Sequence, residues 1–138
     1  MEKHSEVGAV MPNIIYPNGT PQRLCKLLPT PFDIFARRLL PKSWTIKRNR
    51  RYEMHFMGYD KIWNCPNLSG CFMFLRNSVL KQVGSFDDKF FMYFEDTDLI
   101  RRIHRVSKTV FYPNATIIHA HKAEHRTSKL LLKISVKS

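Results

Sequence analysis

Hydrophobic residues follow two kinds of pattern along this chain. Short continuous runs read as strands: Val7–Met11 closed by Pro12, Ile14–Tyr16 entering the Pro17-Asn18-Gly19-Thr20 turn, Leu68–Leu75, Thr109–Tyr112, and Thr116–His119 after a Pro113-Asn114 turn. The Asn-Gly pair favours a tight hairpin turn because it readily takes positive φ. Helical spacing appears in four places. Thr30 as N-cap, Pro31 at the first helical position and Asp33 in the first turn predict a helix to about Leu40, with Phe32, Phe35 and Leu39 on one face. Asn77 is expected to cap a short helix carrying Val79, Leu80 and Val83, closed by Gly84 as a left-handed cap. Leu99, Ile100, Ile103 and Val106 predict a helix to about Ser107. From Arg126 onward Leu130, Leu131 and Ile134 form an apolar stripe beside Lys129, Lys133 and Lys137. Lys42–Tyr52, with Lys47, Arg48, Arg50, Arg51 and a neighbouring Trp44, reads as a basic loop, either simply solvated or touching lipid or phosphate, and Met54–Asn67 has no clear period.

Length and composition narrow the picture. At 138 residues and 43% apolar content the chain can bury one core, and no apolar run approaches the length needed to span a bilayer or reads as a signal peptide. Cys25, Cys65 and Cys71 are an odd set with no Cys-x-x-Cys spacing. That argues against a disulfide framework or zinc ribbon and fits a reducing cytoplasm. The net charge of +12 is the one extreme value. It points to an anionic partner, whether nucleic acid, lipid headgroups or a phosphate-bearing substrate, without choosing among them.

Chemistry concentrates between Gly84 and Leu99. Phe86, Phe90, Phe91, Tyr93 and Phe94 crowd against Asp87, Asp88, Glu95, Asp96 and Asp98. Carboxylates beside apolar walls have their proton affinity shifted, and acids at a helix start are favoured by the orphan amides and the helix dipole. The phrase Gly-x-Phe-Asp-x-x-Phe-Phe-x-Tyr-x-Glu-Asp-x-Asp-Leu, followed by Arg102, resembles the signature of the family 2 glycosyltransferases. Among these it is similar to the bacterial rhamnosyltransferase-like branch that builds surface polysaccharides. The resemblance runs from about Val7 to about Ser128 and is densest from Ser69 to Asp98.

That resemblance implies an α/β fold: a partial GT-A fold, a mixed sheet with flanking helices, lacking the donor-binding half. Residues 1–125 would be the C-terminal, acceptor-side part of the domain and 126–138 the start of a truncated basic amphipathic helix. The implied activity is non-processive transfer of a hexosyl or rhamnosyl group from a nucleotide-sugar donor to a saccharide or lipid-linked acceptor, with the isolated fragment expected to be inactive. The Gln-x-x-Arg-Trp motif of processive synthases is absent. Inverting transfer needs a base for the acceptor hydroxyl and a cation for the departing diphosphate. The resemblance gives the first role to Asp96, with Glu95 orienting the acceptor or tuning Asp96, and makes Ser69-Gly70 the floor of the acceptor pocket. Gly70 would let a sugar approach the backbone or would simply pack tightly, and the sequence leaves both open. Asp98 is expected to cap the helix. Asp96-x-Asp98 is rejected as the metal motif because it opens a helix instead of ending an apolar strand. The resemblance places His119 as a ligand of a divalent metal, Mn²⁺ or Mg²⁺, whose other ligands lie in the missing half, or as a contact to the diphosphate. Arg126, Thr127 and Ser128 would close over the diphosphate. The expected location is cytoplasmic, with peripheral contact to anionic membrane at the inner face. The alternatives are a basic nucleic-acid-binding module, disfavoured because the aromatics cluster with acids, or a non-catalytic interaction module.

Overall fold

The computed structural model describes residues 1–28, 30, 42–90 and 94–120. The helix expected from Thr30 to Leu40, the C-terminal helix with its boundary at 125/126, Phe91, Tyr93, His121, His125 and Arg126–Ser128 lie outside them. In chain order the strands are β1 (Val7–Ile15), β2 (Pro21–Gln22), β3 (Cys25–Lys26), β4 (Trp63–Asn64), β5 (Asn67–Leu68), β6 (Phe74–Leu75) and β7 (Lys108–Ile118). The helices are α1 (Lys42–Tyr52), α2 (Asn77–Val83) and α3 (Glu95–Val106), with a 3-10 turn at His55–Met57. Five strands make one mixed sheet in the order β2-β1-β7-β4, with β6 also on β1, and β3 pairs separately with β5. The observed class is thus α/β.

β1 and β7 run parallel from Val7/Lys108 to Ile15/Ile118. Both are longer than their apolar runs suggested. Pro12 does not end β1, and Pro113-Asn114 is not a turn; the register slips between Pro12 and Asn13, opposite residues 113–115. Two prolines at one level cannot donate ladder bonds, and a bulge absorbs both without ending either strand. The turn at Asn18-Gly19 does return the chain, as β2, against Ile14 and Ile15; Gly19 sits at φ +82°.

Three other expectations are corrected. Lys42–Tyr52 is a helix, not a loop. Leu68–Leu75 is not one strand: β5 and β6 are two residues each and Ser69–Met73 lie between them. Asn77 is the first helical residue of α2, and the cap position belongs to Arg76. The Arg76 guanidinium reaches back to the carbonyls of Met1, His4 and Val7 at 2.7–2.8 Å. Gly84 does close α2 at positive φ, +83°, but with ψ 170° it leaves in an extended direction.

One face of the sheet carries the core. Ala9, Met11 and Ile14 of β1 and Phe111 of β7 are buried with Leu99, Ile100 and Ile103 of α3, together with Leu68, Cys25, Cys65, Met54 and Met57. Each fully buried aliphatic side chain contributes about 1.5–3 kcal/mol, so α3 is held chiefly by Leu99, Ile100 and Ile103. On the opposite face Val10, Pro12, Phe74, Val110 and Tyr112 line an apolar groove of about 780 Å³.

Under the core, Thr109 is wholly buried, and its hydroxyl donates to the Cys65 carbonyl. The hydroxyl has one proton, so the contact with His104 Nδ1 at 2.7 Å requires the imidazole to donate. Burial holds the His104 pKa below its ordinary value. The folded state therefore takes up fewer protons than the unfolded chain in this range. The stability involved is fully present above about pH 6.5 and is lost as pH falls through the folded value. Melting temperature should fall between pH 7 and pH 5, and His104→Gln should flatten that dependence; an unchanged slope in the variant would show that another group is responsible.

Candidate active site

Ser107 alone links α3 to β7, and a Cβ on Gly8, at the start of β1, would meet Ser107 and Ile103. The helix therefore doubles back along the sheet, and its N-terminus points toward the carboxyl ends of the parallel strands. In open α/β sheets that is where ligands bind. Phe94 occupies the cap position and makes no side-chain capping bond, while Glu95, Asp96 and Asp98 fill the first turn.

The two aspartates go separate ways. Asp98 does not cap; its carboxylate pairs with Arg102 one turn on, at 2.8 Å. Arg102 also donates to the carbonyls of Val83 (2.6 Å), Gly84 (3.3 Å) and Ser85 (2.8 Å), so it closes the end of α2. Asp96 turns instead to the chain after β5. Its Oδ2 accepts from the Gly70 amide at 2.8 Å, and its Oδ1 accepts from the Thr97 amide at 2.6 Å and the Thr97 hydroxyl at 3.3 Å. Asp96 and Gly70, named separately from the sequence, are thus bonded to each other. A Cβ on Gly70 would lie 2.9 Å from Asp96 Cβ and 3.2 Å from Oδ2, so the carboxylate itself fills the space that the missing side chain leaves.

Ser69 stands beside them, its Oγ accepting from the Cys71 amide at 3.5 Å. Burial raises the Cys71 thiol pKa above its ordinary value, so the thiol is kept neutral. Glu95 Oε2 is buried with no partner among the described residues. Two residues escaped sequence reasoning. Asn67 is 4% exposed and donates from Nδ2 to the Thr97 hydroxyl at 3.3 Å. Thr97 is the intervening residue of Asp-x-Asp. The only sequence signal for either was nearness to a named site residue.

His119 lies just past β7. Its amide donates to the Ile15 carbonyl at 2.9 Å, its carbonyl accepts from Gln22 Nε2 at 2.6 Å, and its Nδ1 contacts Gln22 Oε1 at 3.2 Å. It is thus fixed to the β1–β2 hairpin, not bonded to Asp96. Among the described residues no group of three or more His, Cys, Asp or Glu side chains is placed to hold a metal ion. Those residues alone do not fit a metal centre, since His119 would be a single ligand.

Over 63 residues the chain is 43% identical to the N-acetylglucosaminyl-diphospho-decaprenol L-rhamnosyltransferase of Mycobacterium tuberculosis strain CDC 1551 / Oshkosh, and equally to the protein of that name from strain ATCC 25618 / H37Rv. The matched stretch is 45% of this chain and 20% of each relative, so the similarity spans about a fifth of the relatives' length. No family model and no solved structure matches the chain. The similarity supports a glycosyltransferase-like relationship in general, and the mixed sheet with its helices is compatible with part of a nucleotide-sugar transferase fold.

Gly70→Ala tests the close approach. The added methyl should displace the Asp96 carboxylate, break its bond to the residue 70 amide and lower stability by about 1–3 kcal/mol, as overpacking does. Denaturant midpoints and the residue 70 amide shift would report it. Unchanged values for both would mean that Asp96 does not occupy that space.

Proposed function

We propose that this chain is the acceptor side of a family 2, GT-A-type glycosyltransferase. It would act in surface polysaccharide synthesis, passing a hexosyl or rhamnosyl group from a nucleotide-sugar to a saccharide or lipid-linked acceptor. The observation that carries this reading is Asp96: a carboxylate at the start of α3 whose two oxygens are each held by a backbone amide. It is fixed in direction before any substrate arrives. As the acceptor oxygen attacks the anomeric carbon, Asp96 takes the hydroxyl proton, and the bond to the diphosphate breaks with its electron pair. Glu95 Oε2, without a partner among the described residues, would accept from another acceptor hydroxyl, and Ser69 and Gly70 would border the same pocket. A divalent cation such as Mn²⁺ or Mg²⁺ would supply charge neutralisation at the diphosphate. His119 would be one ligand, the others lying outside the described residues.

In the natural polypeptide carrying this sequence, Asp96→Asn should lower kcat for nucleotide diphosphate release by roughly 10²- to 10⁴-fold while nucleotide-sugar affinity stays near normal. Turnover within a few-fold of wild type would remove Asp96 from the role. The 138-residue chain alone should show no tight Mn²⁺-dependent nucleotide binding by calorimetry; sub-micromolar affinity would mean that Asp96 and Asp98 form a donor site after all.

A lipid-linked acceptor also calls for contact with a membrane surface. No helix among the described residues is long and apolar enough to cross a bilayer. Instead α1 brings Trp44, Lys47, Arg48 and Arg51 to one face at i, i+3, i+4 and i+7, with Trp44 75% exposed. Each basic residue near an anionic surface contributes about 1 kcal/mol, and tryptophan favours the headgroup level. Co-sedimentation should show binding to anionic vesicles but not neutral ones, weaker at high salt and weaker for Trp44→Ala or for Lys47, Arg48 and Arg51 changed to Gln. Equal binding to neutral vesicles, or tighter salt-sensitive binding to DNA, would overturn the membrane reading.

A further inference from the structure

The surroundings of Asp96 contain more than its base role requires. An ionised carboxylate offers about four lone-pair sites, two on each oxygen. The Thr97 amide and hydroxyl fill both sites on Oδ1, and the Gly70 amide fills one on Oδ2. One site remains, on Oδ2. The Thr97 hydroxyl fills its site only if its single proton points at Asp96, and what points it there is Asn67. The Asn67 Nδ2 donates to the Thr97 oxygen, which leaves the hydroxyl proton free for Oδ1. Donation passes in one direction, Asn67 to Thr97 to Asp96, and each bond polarises the next.

Asn67 is a costly residue for this position. It is 4% exposed, within the β3–β5 pair, and its Oδ1 is buried with no partner among the described residues. A half-satisfied buried amide is less favourable than an apolar side chain of similar size. Packing alone therefore does not explain an amide here, whereas the bond from its other atom to Thr97 does.

We propose that Asn67 and Thr97 are positioning residues that occupy Oδ1 of Asp96 and so make Oδ2, beside Gly70, the atom that receives the acceptor proton. This rests on the reading of Asp96 as general base. Neither residue touches substrate; both act through the carboxylate.

The test uses Thr97→Val, which keeps shape and loses the hydroxyl, Thr97→Ser, which restores it, and Asn67→Ala. Two readouts are taken: hydrogen exchange of the Gly70 amide in this chain, and kcat against KM in the natural polypeptide carrying it. With Oδ1 partly unpaired the carboxylate can rotate. Thr97→Val and Asn67→Ala should speed Gly70 exchange and lower kcat by up to about 100-fold with KM little changed, the scale expected for a misplaced catalytic group. Thr97→Ser should recover both. Unchanged Gly70 exchange in Thr97→Val, or loss that Thr97→Ser does not recover, overturns the proposal even if Asn67→Ala fails to fold. Asp96→Asn separates the two levels. If it leaves turnover intact, the base reading fails, and Gly70 exchange still decides whether the chain of bonds holds the carboxylate. If it abolishes turnover while Thr97→Val does not lower kcat, the base reading stands and the positioning proposal falls.

Discussion

Because β1 and β7 run parallel, no tight turn can join them, and the chain after Ile15 has to leave one end of the sheet and return at the other before Lys108. α3 makes that return. Its apolar residues Leu99, Ile100 and Ile103 seat it on β1 and β7, and Ser107 fixes where it ends. Once those are set, the position of its first turn follows from helix length, and Glu95 and Asp96 are delivered toward the carboxyl ends of the strands. The chemistry of the site is thus a consequence of how a parallel pair must be closed.

Charge reinforces that placement. α3 begins with Glu95, Asp96 and Asp98 and ends with His104 and Arg105, which opposes the helix dipole at both ends. The Asp98–Arg102 pair is partly exposed, and such pairs contribute only about 0–1 kcal/mol each. Its significance lies more in direction than in energy. Held by Asp98, the Arg102 guanidinium satisfies carbonyls at the end of α2, and Val83, Gly84 and Ser85 are tied to the body of α3. Asp98 is spent on this, which leaves Asp96 as the aspartate of the pair that reaches Gly70.

Much of this was legible in the sequence wherever a segment buries one face. The period of Leu99, Ile100 and Ile103 gave away α3 to within a residue, and the Asn18-Gly19 turn was read correctly; the apolar runs located β1 and β7 but split each in two at its proline. α1 hid because it buries little: Thr45 is enclosed while Trp44 and Ile46 are exposed, so its sequence shows no apolar stripe, and the good helix propensity of its lysines and arginines is a weak signal on its own. Leu68–Leu75 misled for the opposite reason. It is mostly apolar and aromatic, yet Phe72 and Phe74 are exposed and Ser69-Gly70 redirects the chain beneath Asp96. Asp98 read as a cap because acids favour that position, but its partner lies one turn ahead in the helix. Asn67 meets Thr97 across thirty residues of chain; no local pattern encodes such a meeting.

The bonds around Asp96 are those of a structural tie, and a general base is usually sought among groups with lone pairs to spare. The two descriptions conflict only if every site on the carboxylate is filled. Gly70 is what prevents that: without a side chain it lets the carboxylate approach the backbone closely enough for a single amide to hold Oδ2. A side chain there would push the carboxylate away and lose the bond. A more open site would let the carboxylate turn and share both oxygens with solvent. Close contact on one side, with the Thr97 bonds on the other, leaves one lone pair with a fixed direction, and a fixed direction is what the proposed proton transfer from a bound hydroxyl would require.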